Sequence, residues 1–506
     1  MKLLRPLSAV LLLLLSASLA AEQVRLGTDV VPTTESVHLT VDPRKDDYTG
    51  NVSVHLQVKK ATPTFRFHAQ DLTIGTLELT DANGANVEVT QAPDKESTVL
   101  VTAAKPLAPG TYDLSIEFTT KFNRQAVGLY KMTTKDGEPY LFTQFEATDA
   151  RRAFPAWDEP GFKIPYEMTV TIPTLYDAVS NTPIASETKS GDAKTIRFAK
   201  TKPLPSYLIA LAVGQFDYTP IANLGRPGRI VAPKGQGGLT KIAADVTPGI
   251  VAALEKYFGQ PYPFEKLDLI AVPEYWAGAM ENPGAITYRD TVLLIDPATA
   301  TPGQRLNVIR ITAHELAHMW FGDLVTMQWW DDLWLNESFA DWMGDKITQQ
   351  LYPEFGSETA ELQGIQGVMS ADSRSTTDPI RKVNATPEES MRNVGVAYNK
   401  GKAVLSMFEK WIGPDKFREG VLAHLKAHAW GNANAAEFFA SLGKHAPAGT
   451  SAAMQTFIEQ PGVPLVKVEM TGPNEVKLTQ SRFTSGAAVA AESWRIPVTM
   501  HYFDGK

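Results

Sequence analysis

Cysteine is absent from the 506-residue sequence, which excludes a disulfide framework, a thiol nucleophile and a lipid-modified cysteine together. Long apolar runs are scarce as well. The one candidate, Pro6 to Ala21, falls short of the roughly 20 residues that a membrane helix needs. With Lys2 and Arg5 before it and Ser18-Leu19-Ala20 at its end, it reads as an export signal cleaved after Ala20 or Ala21. Its removal leaves no membrane span, and the expected location is the periplasm or the exterior. Excess positive charge is also lacking: the formal net charge of −8 becomes −10 when Lys2 and Arg5 leave, 46 basic against 56 acidic residues. That balance disfavours nucleic acid and anionic membrane as partners. Neither a fixed-period repeat nor a low-complexity tract is found. With 43% hydrophobic and 21% charged residues, this is the composition of a folded chain long enough for two to four domains.

Apolar residues alternate with polar ones from Glu22 to about residue 217, as in Val52, Val54, Leu56 and Val58, in Tyr112, Leu114, Ile116 and Phe118, and in Met168, Val170 and Ile172. This period of two predicts an antiparallel all-β domain over residues 22–217. After "NLGRPG" the pattern turns helical, as in "DVTPGIVAALEKYFG" with Gly259 as a stop, and a second domain is expected over 218–463. Strands are predicted at Leu267–Val272 and Ile286–Ile295, followed by long helices. One runs through "QRLNVIRITAHELAHMWF" to Gly322 and another through "NESFADWMGDKITQQL". That order is an α+β arrangement. Alternation returns over 464–506 in Val466, Val468 and Met470, in Val476 and Leu478, and in Ile496, Val498 and Met500. The expectation there is three strands, the start of a β-sandwich whose remainder the sequence does not include.

The chemistry concentrates in "ITAHELAHMWFGDL", Ile311 to Leu324. On a helix His314 and His318 lie one turn apart on one face and offer two imidazoles to a single metal ion. Glu315, rotated by about 100°, stands beside the ion where its water sits. If the next helix turns back antiparallel, Glu337 of "WLNESFADW" becomes a third ligand. Three protein ligands leave a position for water, which is the arrangement of catalytic zinc, one Zn2+ per chain. Zinc brings the pKa of its water to about 7 and polarises a carbonyl, while Glu315 takes the proton and passes it to a leaving amine. The implied reaction is amide hydrolysis. Asp341, one turn past Glu337, reads as plain helix surface, with a hydrogen bond to a ligand histidine as the alternative. His424 and His428 in "HLKAH" repeat the spacing with leucine where the base would stand, and read as ordinary helical histidines. Trp329, Trp330, Trp334 and Trp342 read as core between the two helices, and Arg151 and Arg152 as structural ion-pair partners.

Several separate stretches resemble the aminopeptidase N family of zinc metallopeptidases, of the gluzincin clan. "HELAHMWFGDLVT" with Glu337 is similar to its zinc motif, "GAMEN" at Gly278 to Asn282 to its exopeptidase motif, "TQFEATDARRAFPAWDEP" to its first-domain signature, and "YNKG" at Tyr398 to the segment of its catalytic tyrosine. Lys402, where the family often has alanine, and Pro283 depart from the pattern. The resemblance implies a saddle-like N-terminal β domain, a thermolysin-like catalytic domain and a β-sandwich. It also implies hydrolysis of the first peptide bond of peptides with a free N-terminus. Glu281 and Glu146 would bind the α-ammonium, with Gln144 nearby, and the backbone of Gly278, Ala279, Met280 and Asn282 would border the substrate. Tyr398 would donate to the oxyanion. A zinc endopeptidase is the first rival, opposed by the paired Glu281 and Glu146. An epoxide hydrolase of the same family is the second, opposed by Gln144-Phe145-Glu146 where that branch has Gln-x-Gln. A non-catalytic peptide-binding protein is the third.

Overall fold

The structure is a computed structural model that describes residues 25–383, 386–392, 394–486 and 491–501; the expected export signal lies outside them. Strands fill the chain from Val30 to Pro233. The largest sheet has eight strands, and inside it lies the antiparallel pair Asp47–Val58 and Gly110–Lys121. Val52 faces Ile116 and Val54 faces Leu114 across this pair, all four buried, so the period of two seen in the sequence is the inward face of the sheet. Val30–Thr40 joins antiparallel on one side of that pair and lies parallel to Tyr166–Pro173. A four-stranded sheet contains Pro139–Gln144 as an inner strand. Five of its six residues are buried, and its end delivers Gln144 and Glu146 toward the second half of the molecule.

That second half begins with a mixed five-stranded sheet in the order Phe216–Pro220, Gly228–Pro233, Leu267–Val272, Ala285–Arg289, Ala279–Met280. Leu267–Val272 is buried throughout because parallel neighbours on both sides put it at the sheet's centre, which needs a continuous apolar run. Ala279–Met280, the heart of "GAMEN", pairs only with Ala285–Arg289 and is the sheet's edge. The helix Lys241–Phe258 ends at Gly259, whose φ of 66° closes it in the left-handed region. The histidine helix, Pro302–His318, starts from a capping box of Thr301 and Gln304. It packs on the glutamate helix, Leu333–Leu351. Helices Lys402–Ile412 and Pro414–His428 cover that pair.

Four expectations need correction. The chain does not turn helical directly after "NLGRPG", because Gly228–Pro233 first adds a strand to the catalytic sheet. The strand at Ile286 stops at Arg289, and Asp290–Leu293 is a helical turn: Val292 and Leu293 bury from that turn without a sheet partner. The histidine helix ends at His318 rather than Gly322, since the His318 Nδ1 donates to the Phe321 carbonyl at 3.0 Å and draws the chain out of helical register. Near the C-terminus the hairpin Pro464–Gly472 with Glu475–Arg482 is the one strand pair among the described residues. Residues 491–501 are not a strand. Trp494 and Ile496 pack on the catalytic core instead, and Val498 and Met500 stay exposed, so no second sheet face rewards their alternation.

Candidate active site

The two zinc-motif helices meet as a ladder. Arg310, His314 and His318 recur every four residues along one face, and Glu337, Asp341 and Asp345 do the same on the facing helix. Arg310 Nη2 lies 2.8 Å from Asp345, His314 Nδ1 3.5 Å from Asp341, and His318 Nε2 3.6 Å from Glu337. The partners descend in number as the histidine helix ascends, so the helices are antiparallel. Gly344 permits the approach: a Cβ there would stand 3.2 Å from the backbone nitrogen of His314.

On the middle and lower rungs the donors converge. His314 Nε2 and His318 Nε2 are 3.0 Å apart, and Glu337 Oε2 lies 3.5 Å from His314 Nε2. Ligands placed at about 2.1 Å around a tetrahedral ion stand about 3.4 Å apart, so the trio suits such an ion. The imidazoles are set for this role. The Nδ1 of His318 is engaged by the Phe321 carbonyl and that of His314 faces Asp341, which leaves each Nε2 turned inward. Burial would raise the Glu337 carboxyl, but the two imidazoles overcome it and hold the group well below the usual carboxylate range.

Three more carboxylates surround this trio. Glu281 and Glu315 fall in one cluster with His318, and Glu146, Glu281 and Glu337 in another, each with its oxygen and nitrogen atoms within 4.8 Å of one another. Burial pushes Glu315 up to about 7, with Glu281 and Glu337 adding to it and the imidazoles opposing. Burial raises Glu146 well above its usual range, and Glu281 and Glu337 raise it further. Glu146 Oε1, Glu281 Oε1 and Glu337 Oε2 are buried with no hydrogen-bond partner among the described residues. Leaving such atoms unpaired costs several kcal/mol, a penalty removed if cations enter. Histidine nitrogens with a carboxylate oxygen are the donor set of zinc, so the residues present fit that ion.

The cleft beside these groups encloses about 400 Å³. Gln144, Glu146, Gly278, Ala279 and Met280 line it. Gln144 is held from both sides, accepting from the Tyr275 hydroxyl and donating to Met280 Sδ at 3.5 Å. Neither Glu281 nor Asn282 is among the residues that line this volume: Glu281 reaches the site through its cluster with His318 and Glu315, whereas Asn282 is buried and its carbonyl receives the Ala285 N–H at 3.0 Å. Tyr398 sits on a single π-helical turn, Ala397–Gly401, a deviation common at functional positions. Gly401 makes room for it, because a Cβ there would lie 1.9 Å from Ser338 Oγ. Ser338 instead donates to the Ala397 carbonyl at 2.7 Å. The Tyr398 ring centre is 5.7 Å from that of His314, and burial, with the Glu337 carboxylate next, holds its hydroxyl well above the usual range.

Other expectations fall into place around this site. Trp330, Trp334 and Trp342 are buried, whereas Trp329 is only half-buried, with the Arg25 guanidinium 3.4 Å over its ring. Arg151 pairs with Asp158 and Arg152 with Asp149. His424 packs between Phe321 and Phe438, and burial lowers it to about 3, which keeps it neutral in the core. Sequence reasoning missed Tyr207, which receives the Asn336 amide at 3.3 Å. It also missed Lys163, whose Nζ donates to the carbonyls of Asp323, Leu324 and Gly431 and ties the β half to the loop after the histidine helix. Lys402 proves to be a partner of the ladder, 2.9 Å from Asp341 and 2.7 Å from Asp345.

The profile of the peptidase family M1 domain matches residues 242–460, and that of the peptidase M1 N-terminal domain matches residues 31–208. Aminopeptidase M1-C of Oryza sativa subsp. japonica is 33% identical over 94% of the chain and 55% of its own length. Aminopeptidase M1 of Arabidopsis thaliana is likewise 33% identical, over the same shares. Glutamyl aminopeptidase of Homo sapiens is 35% identical over 94% of the chain and 51% of its own length. The chain thus spans about half the length of these relatives. Among the described residues no helix is long and apolar enough to cross a membrane. Two profiles of one family cover both halves of the fold and enclose the histidine–glutamate cluster: this chain belongs to peptidase family M1, the aminopeptidase N family of zinc metallopeptidases.

Proposed function

We propose that this protein is a zinc aminopeptidase that removes the N-terminal residue of peptides, exported through its N-terminal signal to the periplasm or beyond. One observation carries the reading. Glu146, Glu281 and Glu337 are gathered within 4.8 Å, each with a buried oxygen that has no hydrogen-bond partner among the described residues, and two cations of different kinds would satisfy them. One is a metal at His314, His318 and Glu337, and the other is a peptide's α-ammonium at Glu281 and Glu146.

Zinc held by His314, His318 and Glu337 supplies Lewis acidity toward water and the scissile carbonyl. Glu315 accepts a proton from the attacking water and delivers it to the departing amine nitrogen. Burial, with Glu281 and Glu337 beside it, raises the proton affinity of this carboxyl, which favours its uptake of a proton. Tyr398, whose ring centre stands 5.7 Å from that of His314, donates to the oxyanion of the tetrahedral intermediate. The edge strand Ala279–Met280 offers free backbone groups to an extended peptide. Glu281 and Glu146, fixed relative to the ligands, let only the first peptide bond reach the water.

Two outcomes test the division of labour. N-acetylation removes the cation that Glu281 and Glu146 expect; at about 2–5 kcal/mol for a buried charge left unpaired, blocked peptides should turn over at least tens of times more slowly than free ones. Equal rates would favour the endopeptidase reading. Tyr398→Phe should lower kcat by about 10²–10³-fold, the usual loss for one oxyanion donor, with KM little changed. Near-normal turnover of that variant would remove tyrosine from the mechanism.

A further inference from the structure

We propose that Arg310 receives a carboxylate on the leaving-group side of the cleft, so that the protein favours tripeptides with a free C-terminus or peptides with an acidic third residue. The proposal rests on the aminopeptidase reading for the direction in which a peptide lies.

That direction follows from the edge strand. The Glu281 carboxyl belongs with His318 and Glu315, whereas Gly278 lies against Ile311, to whose Cδ1 a Cβ would stand 3.8 Å away. The strand therefore runs alongside the histidine helix, with the ammonium site at the His318 end and Gly278 toward the helix start. A peptide anchored by its amine and paired with this edge continues past Ile311 to Arg310. Eight residues of helix separate Arg310 from His318, about 12 Å at 1.5 Å per residue. An extended tripeptide places its carboxylate about 10 Å from its amine, within reach of an arginine side chain.

Arg310 is built to wait there. It lines the cleft and its side chain is 35% exposed. Nε and Nη2 are held by one oxygen of Asp345, at 2.9 and 2.8 Å, and the other oxygen of Asp345 takes Lys402 at 2.7 Å. Lys402 also holds Asp341, so both carboxylates of the upper ladder are already engaged. Among the described residues Arg310 Nη1 has no partner. The planar guanidinium is thus fixed from behind with one edge toward the cleft, the geometry that accepts a carboxylate. Glu146 and Glu315 line the cleft together with Arg310, and the lining carboxylates of Asp341 and Asp345 are already engaged by Lys402, an arrangement complementary to a short zwitterionic peptide.

The test compares kcat/KM for trialanine and its C-terminal amide, and for amidated Ala-Ala-Asp and Ala-Ala-Asn, in the wild type, Arg310→Gln and Arg310→Lys. The acid-to-amide and Asp-to-Asn ratios should be about tenfold in the wild type, a partly exposed charge-assisted contact. They should fall near unity in Arg310→Gln and lie between in Arg310→Lys. A preference confined to one pair identifies which carboxylate is read. Ratios that are near unity in the wild type, or that survive Arg310→Gln, overturn the proposal. Calorimetric binding of the same peptides to Glu315→Gln gives the ratios without turnover. A preserved preference there, with no hydrolysis by the wild type, would uphold Arg310 and reject the peptidase reading instead.

Discussion

Glu315→Gln is expected to lower kcat by about 10²–10⁴-fold, the span of a lost general base, while the protein keeps one zinc per chain. Glutamine preserves the volume of a side chain that is 5% exposed, so packing is undisturbed, and only the capacity to take a proton is gone. The variant also decides between overlapping ligand sets, because Glu315 groups with Glu281 and His318 as closely as Glu337 does with the two histidines. If Glu315 were a ligand, zinc measured by plasma emission would fall together with activity. Retained zinc with lost turnover of an aminoacyl anilide is the expected result, and it also excludes a peptide-binding protein without catalysis, since the wild type turns over.

Removal of the metal is expected to have the largest effect: exhaustive dialysis against a chelator should take hydrolysis to background, and stoichiometric zinc should restore it. Histidine and carboxylate alone cannot hydrolyse an amide at this site. Stability should follow as well, because the ion binds the folded chain alone. At free zinc a thousandfold above its Kd, linkage gives about 4 kcal/mol, read as a later unfolding transition in urea. Full activity in a protein shown by metal analysis to be zinc-free would end the zinc assignment.

Much of this was legible in the sequence because it is local. Period-two runs such as Val52 to Val58 mark an inward sheet face, and the four-residue spacing of His314 and His318 marks a helix face, since both depend only on the pitch of the element. The same spacing also contained Arg310 and Asp345, one rung further on, yet a single arginine or aspartate has no signature until its partner helix is in place. Tyr207 and Lys163 contact groups more than a hundred residues away, and nothing in their neighbourhood announces it. Lys402 looked like a departure from the family pattern and is an ion-pair partner of both Asp341 and Asp345. The end of the histidine helix was misplaced because one side-chain hydrogen bond to the Phe321 carbonyl outweighs the helical propensity of the residues that follow.

The inner strand Pro139–Gln144 carries Gln144 and Glu146 from the β half into a cleft whose imidazoles belong to the other half. The β half does not close its hydrophobic core alone: Ile270, Val272, Met280, Trp330 and Leu333 of the other half pack into the same core. A change that loosens this shared core therefore shifts Glu146 against His314 and His318, and reaches the cleft without touching any residue that lines it.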